Sequence, residues 1–121
     1  MQDLDNSLKK NAANYVPLTP ISFLKKAATT FPKKKSLIYN NKIFTWSETY
    51  TRCKRLASAL LLRGLVKGDT IGFLAMNTPE LYEGHFGVPM AGMTLNAMNY
   101  RLDAKTLAFI KNLKCIEGWF N

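Results

Sequence analysis

A chain of 121 residues can form one domain or part of one, and is too short for a large two-domain enzyme. Hydrophobic residues make up 47% and charged residues 21% of it, which excludes an intrinsically disordered chain. The net charge of +9 comes from the first half, where scattered basic residues accompany no nucleic-acid motif, so we expect a solvated surface and no specific nucleic acid as partner.

The amino-terminal residues 1–14 are polar and lack the apolar stretch that a secretory signal requires. We expect a disordered lead-in over 1–14, followed by one folded region over 15–121. The most apolar stretch, residues 71–98, is interrupted by charged residues and a proline, so we expect no transmembrane segment.

The first predicted elements are a helix and a β-hairpin. Thr19 followed by proline is typical of a helix start, and Pro32 predicts its end. Two β-favouring runs, 36–39 and 42–45, flank Asn40 and a second asparagine. Because asparagine tolerates the positive φ of a two-residue turn, these runs predict a β-hairpin.

The second predicted helix has the clearest pattern in the chain. Thr45 and Glu48 have the spacing of a capping box, and Gly64 predicts the helix end because glycine adopts the left-handed conformation easily. Between them an apolar stripe with helical spacing predicts the face that packs on the core. Its members are Tyr50, Cys53, Leu56, Ala57, Leu60 and Leu61.

The remaining pattern predicts a strand–helix–strand unit of a parallel sheet. The apolar run 70–76 is typical of a strand covered on both faces, and 94–97 is the candidate second strand. Between them, Thr78 and Pro79 predict a capped helix. Asp103 predicts the start of a last helix.

Three segments in order along the chain resemble core motifs of the adenylate-forming superfamily. Residues 44–60 hold an aromatic–Thr–aromatic run that enters a long helix, residues 68–80 hold Gly-Asp before an apolar strand, and residues 86–96 resemble the second core motif. With residues 99–103 the chain is most similar to plant acyl-activating enzymes of the acyl-CoA synthetase group. The resemblance covers residues 14–111, and its colinear order makes it more specific than a single motif.

The resemblance implies an α/β fold, namely an incomplete N-terminal part of the large domain of the adenylate-forming fold, with a β-hairpin before strand–helix–strand units of a mostly parallel sheet. For the full-length enzyme it implies ATP-dependent activation of a fatty or aromatic carboxylic acid, followed by acyl transfer to coenzyme A. It therefore implies ATP, Mg²⁺ and coenzyme A for full-length relatives, which are expected in the peroxisome, mitochondrion or cytoplasm. The absence of a terminal Ser-Lys-Leu leads us to expect this chain in the cytoplasm.

The family's catalytic motifs do not occur in this sequence. The Ser/Thr/Gly-rich loop that ends in Pro-Lys, the later acidic residues and the lysine of the C-terminal domain have no match here, and no other phosphate-binding motif replaces them. We therefore predict no catalytic, cofactor-binding or metal-binding residue in this chain, and expect it to be inactive alone. Residues 110–121 depart from the family pattern, which we interpret as a truncated product or an incomplete gene model.

Four residues are candidates to line a substrate site by their position near strand ends: Asn77, Asn96, Asn99 and Arg101. Ligands of α/β sheets bind outside the carboxyl ends of strands, and Arg101 could hold a carboxylate or phosphate there. A structural interpretation also stays open. The strand end at Asn77 is explained by helix capping at Thr78, and the later asparagines are what a turn requires.

Three other reactive residues have ordinary structural explanations. His85 lies in a predicted helix without the positioned partner that a general base needs, so we expect a hydrogen-bonded structural histidine. Cys53 and Cys115 belong to no CxxC or Cys/His cluster, and we expect two reduced, unreactive thiols.

A non-enzymatic hypothesis remains beside the enzymatic one. The short parallel sheet would leave an open edge, and we expect Ile71 and Phe73 to lack the cover of further helices. The chain would then act as an interaction module that binds a full-length relative or another protein, or would associate with itself.

Overall fold

The structure, a computed structural model, describes Asn11 and residues 15–112. The predictions for the lead-in at 1–14, Asn11 excepted, and for Cys115 and the chain end after 112 lie outside these residues. In the described part the chain forms, in order, α1 (Pro20–Thr30), β1 (Lys35–Tyr39), β2 (Lys42–Thr45), α2 (Trp46–Leu62), β3 (Thr70–Leu74), α3 (Pro79–Met90), β4 (Thr94–Met98) and α4 (Ala104–Asn112).

The predicted α/β architecture is confirmed. Strands β1 and β2 pair antiparallel with Ile38 opposite Ile43, and Asn40 in their turn has a φ of 51°. Strands β3 and β4 pair parallel in a second two-stranded sheet, with Ile71 opposite Leu95. Since α3 connects these two parallel strands, the strand–helix–strand unit predicted from the pattern is present.

Three of the four predicted caps form through side chains, and at the start of α4 the Asp103 carboxylate accepts a hydrogen bond from the Thr106 amide at 3.0 Å. The Thr45 hydroxyl accepts a hydrogen bond from the Glu48 amide at 3.3 Å, and the Glu48 carboxylate accepts one from the Thr45 amide at 2.8 Å. Thr19 begins α1 with a similar box, whose second member is Ser22. These pairs satisfy amide donors that have no partner inside the helix.

The prediction that Thr78 caps α3 through its side chain is wrong. Thr78 has the extended backbone of an N-cap residue, but its side chain makes no capping hydrogen bond. The hydroxyl contacts the Glu80 carboxylate instead, and the backbone amide of Glu80 and this hydroxyl together lower the pKa of Glu80. A carboxylate in the first turn of a helix is also stabilised by the helix dipole.

The core lies between α2, α3 and the inner face of β3. Its buried members are Ala57, Leu60, Ile71, Phe73, Val88, Ala91 and Met93. The apolar stripe of α2 is confirmed except at its end, because the Leu61 side chain is 51% exposed. Position 61 lies at the edge of the stripe, in the last turn of the helix.

Strand β3 differs from its prediction in length and in cover. It ends at Leu74, which is paired with Met98 as the last residues in register. The chain then turns, and the Thr78 amide donates a hydrogen bond to the Met76 carbonyl oxygen at 2.7 Å. Ile71 and Phe73 are 1% and 8% exposed, so the expectation that they lack cover is wrong. Residues of α2 and α3 already cover them, while the other face of the strand is only half-buried.

Helices α2 and α3 pack tightly against each other at Gly87. A Cβ atom at this position would lie 2.7 Å from Leu56 Cδ2 and 3.0 Å from the Cys53 carbonyl oxygen. At Gly84, one turn earlier, a Cβ atom would meet the Phe73 ring at 3.5 Å, an ordinary contact distance. Only Gly87 is therefore required by close packing of the two helix backbones.

This difference predicts opposite results for two alanine substitutions. Both gain helix propensity, but Gly87→Ala also forces α2 and α3 apart, and we expect it to cost about 1–3 kcal/mol of unfolding free energy relative to Gly84→Ala. Urea unfolding monitored by circular dichroism measures the difference. Equal midpoints for the two variants would show that the helices do not pack at this distance.

Candidate functional site

The carboxyl ends of β3 and β4 form one edge of the parallel sheet. The last residues in register are Leu74 and Met98, so Asn77 and Asn99 both follow the paired strand ends. Both asparagines are exposed. We call the region of Asn77, Asn99 and Arg101 the carboxyl edge, the position at which ligands bind in open α/β sheets.

The chain after β4 forms a tight turn that uses two of the candidates. The Arg101 amide donates to Asn99 Oδ1 at 3.0 Å, and the Leu102 amide donates to the Asn99 carbonyl at 3.2 Å. Arg101 Nε donates to the Tyr100 hydroxyl at 3.1 Å, with the guanidinium 5.5 Å from the centre of that ring. Asn99 thus has the turn function expected of asparagine, and Arg101 remains an exposed cation at the edge.

The structure separates Asn96 from the other three candidates. Asn96 lies inside β4, opposite Gly72 of β3, and is half-buried. It is two residues before the strand end, whereas Asn77 and Asn99 follow the strands. The candidate set therefore divides into an edge group and one residue within the sheet.

An ion pair between α2 and α3 was not predicted from the sequence. Arg52 of α2 donates from Nε and Nη2 to the two carboxylate oxygens of Glu83 in α3, with Nη2 3.1 Å from Oε2. Glu83 is 6% exposed, and the Arg52 guanidinium lies 4.9 Å from the centre of the Phe44 ring. The hydrogen bonds to Glu83 raise the pKa of Arg52.

Only one sequence feature pointed to this pair. Glu83 is a carboxylate within an apolar helical segment, and buried charges require a partner. The partner lies 31 residues earlier in the chain, so no helical or strand spacing identifies it. Arg52 is not a member of the predicted apolar stripe, yet the structure half-buries it.

A shallow cleft of about 330 Å³ lies on the flank of α2. Its lining residues are Phe44, Ser47, Glu48, Thr51, Arg52 and Arg55. Arg52 is neutralised by Glu83, and the Glu48 carboxylate is used by the helix cap. None of the carboxyl-edge residues lines this cleft, so we do not assign it to the same site.

The described residues contain no group of three or more His, Cys, Asp or Glu side chains that could hold a metal ion. His85 is exposed, and its Nδ1 lies 2.8 Å from the Leu81 carbonyl oxygen. This backbone hydrogen bond agrees with the structural interpretation of the histidine.

Within the described residues, no helix is both long and apolar enough to cross a membrane.

Comparison with protein families gives one match over most of the chain. The model of the AMP-binding enzyme family matches residues 24–117. The acetate/butyrate–CoA ligase AAE7 of Arabidopsis thaliana, named as peroxisomal, is 50% identical over 109 residues, which are 90% of this chain and 19% of the relative. A peroxisomal benzoate–CoA ligase of the same plant is 52% identical over 98 residues, or 81% of this chain and 17% of the relative.

Solved structures share the fold. O-succinylbenzoate coenzyme A synthetase (MenE) of Bacillus subtilis, in complex with ATP and magnesium, matches with a TM-score of 0.70 at 26% identity, over 74% of this chain and 25% of that one. The N-terminal subdomain of Klebsiella oxytoca NpsA matches with a TM-score of 0.72 at 22% identity, over 77% and 24%. The present chain therefore spans about a fifth of the curated relatives and about a quarter of the solved structures that it matches.

The environment of Cys53 generates a prediction about thiol reactivity. Its side chain is fully buried, its Sγ lies 3.7 Å from the Glu83 carbonyl oxygen, and burial raises the pKa of the thiol to about 12. The thiolate is the reactive form, so at pH 8 we expect iodoacetamide to leave Cys53 unmodified in the native chain and to modify it in urea. Peptide mass spectrometry separates it from Cys115, and full native modification of Cys53 would contradict its burial.

Proposed function

This chain belongs to the AMP-binding enzyme family, and from that premise we propose that it is the N-terminal portion of an ATP-dependent carboxylic acid–CoA ligase. The single observation that carries the proposal is the 50% identity to a plant acetate/butyrate–CoA ligase over 90% of the chain. The relatives' names include acetate, butyrate and benzoate, which supports a short aliphatic or aromatic acid as the substrate class.

The proposed reaction has two steps. A carboxylate oxygen of the acid attacks the α-phosphorus of ATP, forming an acyl-adenylate and releasing pyrophosphate. The thiol of coenzyme A then attacks the acyl carbon, forming the thioester and releasing AMP. ATP, Mg²⁺ and coenzyme A are the proposed cofactors and co-substrate of the whole enzyme, and the binding of ATP and magnesium by MenE supports the first two.

We assign this chain a structural and substrate-lining part of that enzyme. The carboxyl edge is the part of the sheet where an acyl-adenylate would lie, with Asn77, Asn99 and Arg101 as candidate lining residues and Asn96 as a candidate within the sheet. We propose no catalytic, cofactor-binding or metal-binding role for any residue of this chain, so the chain alone is proposed to be inactive. Electrostatic stabilisation of the leaving pyrophosphate would come from elsewhere in the enzyme.

The proposed location of the whole enzyme follows its relatives. Several similar ligases are named as peroxisomal, which supports a peroxisomal location, with the cytoplasm as the alternative expected from this sequence. The proposed small-molecule partners are the carboxylic acid, ATP and coenzyme A.

A second candidate function rests on the small parallel sheet. In the described residues β3 pairs only with β4, and Leu74 and Met76 at the strand end are exposed. Unpaired strand edges and exposed apolar side chains favour association with another chain. The alternative proposal is therefore an interaction module that binds a full-length relative, another protein or a second copy of itself.

A chimeric enzyme tests the first proposal. The 109 aligned residues of the Arabidopsis acetate/butyrate–CoA ligase are replaced by those of this chain, and butyrate-dependent ATP–pyrophosphate exchange is measured. We expect kcat/KM within about tenfold of the parent ligase, a loss of roughly 1.4 kcal/mol at most. The 121-residue chain alone should give no exchange above a control without acid.

Two controls make this result decisive. The parent ligase sets the full rate, and the ligase without the replaced segment sets the background. A soluble, folded chimera at the background rate would contradict the proposed function, and exchange by the chain alone would contradict its proposed inactivity.

A further inference from the structure

We propose that Arg52 is a positioning residue that acts through Glu83 on the carboxyl edge. By holding Glu83, it fixes the first half of α3 and with it the β3–α3 turn that carries Asn77. The inference rests on the proposed function in one respect, because that function makes the carboxyl edge the part of the sheet that contacts substrate.

The geometry of the pair fixes orientation as well as distance. Arg52 uses two nitrogen donors on two oxygens of one carboxylate, and this parallel arrangement allows little rotation of either group. The Phe44 ring of β2 lies beside the guanidinium, and Glu83 is almost fully buried. The second turn of α3 is therefore tied to α2 at a defined position.

Both halves of α3 make apolar contacts, but the ion pair with Arg52 belongs to the first half. The second half is held by apolar packing, since Val88 is fully buried and Gly87 lies against Leu56. The first half has buried Pro79, Leu81 packed against the core and the Glu83 pair, and the side chain of Thr78 gives no capping hydrogen bond. Glu83 is thus the polar anchor of the helix half that adjoins the turn.

Stability alone is a weak explanation for such a pair. Removing two charges from water costs free energy that their attraction often fails to recover, and apolar residues of similar size are frequently as stable. A fork of hydrogen bonds nevertheless specifies one orientation, which apolar residues do not. The pair is therefore better explained by the placement of α3 than by the free energy of unfolding.

The first test uses amide hydrogen exchange on the 121-residue chain with the variant Arg52→Lys. Lysine retains the positive charge beside Glu83 but cannot form the two-pronged contact. We expect exchange at residues 75–82 to accelerate about tenfold, with the amides of β3 at 71–74 unchanged, because only the local opening becomes easier. The matched control is Arg55→Lys, an exposed arginine on the same helix, which should change neither region.

A double variant separates positioning from stability. Arg52→Met with Glu83→Leu removes both charges together, and we expect a urea midpoint near that of the parent with the same local acceleration at 75–82. Unchanged exchange at 75–82 in Arg52→Lys would overturn the proposal. A uniform acceleration at all amides of the chain would also overturn it, because a purely stabilising pair gives that result.

The second test measures kinetics in the chimeric ligase. Arg52→Lys should raise KM for butyrate about threefold or more with kcat nearly unchanged, since a displaced carboxyl edge weakens substrate binding in ground and transition states alike. A fall in kcat without a change in KM would contradict the positioning role. A soluble, folded parent chimera without activity would contradict the proposed function, and the hydrogen-exchange experiment would still decide the role of Arg52.

Discussion

Helices α2 and α3 are so close at Gly87 that any larger residue there would meet Leu56 and the backbone of Cys53. Most of the described structure depends on this contact. It lets Val88 of α3 and Leu60 of α2 cover the inner face of β3, so that Ile71 and Phe73 are buried. A two-stranded parallel sheet has little stability by itself, and here the helix pair supplies its core.

The Arg52–Glu83 ion pair fixes the orientation of α3 relative to α2. Apolar contacts in both halves of α3 hold the helix against its neighbours, and the ion pair adds a polar contact in the first half, next to the turn after β3. That turn and the one after β4 lie at the same end of the sheet. A structural contact between helices can in this way influence residues that face a ligand without touching the ligand itself.

The elements predicted correctly are those determined by residues close in sequence. The two members of the capping box, Thr45 and Glu48, are three positions apart in the sequence. The positive φ of Asn40 follows from the tolerance of asparagine for this conformation in a two-residue turn. The parallel sheet was also predictable, because an apolar strand, a helix and a second strand follow in order. The carboxyl edge followed from that topology, but the structure had to separate Asn96 from it.

The elements missed depend on contacts between distant parts of the chain. The pairing of Arg52 with Glu83 spans 31 residues, and the cover of Ile71 depends on where two helices pack. Thr78 shows that a prediction from neighbouring residues can also be wrong. Its position and backbone match an N-cap, but its hydroxyl contacts the Glu80 carboxylate and does not cap the helix. A motif thus gives the backbone conformation more reliably than it gives the hydrogen bond.

The central claim is that α2 and α3 pack at Gly87 and so create the core beneath the parallel sheet. The most direct measurement is a nuclear Overhauser spectrum of the isotopically labelled chain. Because these groups are in contact, we expect strong cross-peaks between the α protons of Gly87 and the methyl protons of Leu56. Their absence from a spectrum with dispersed, assigned signals for both residues would contradict the account.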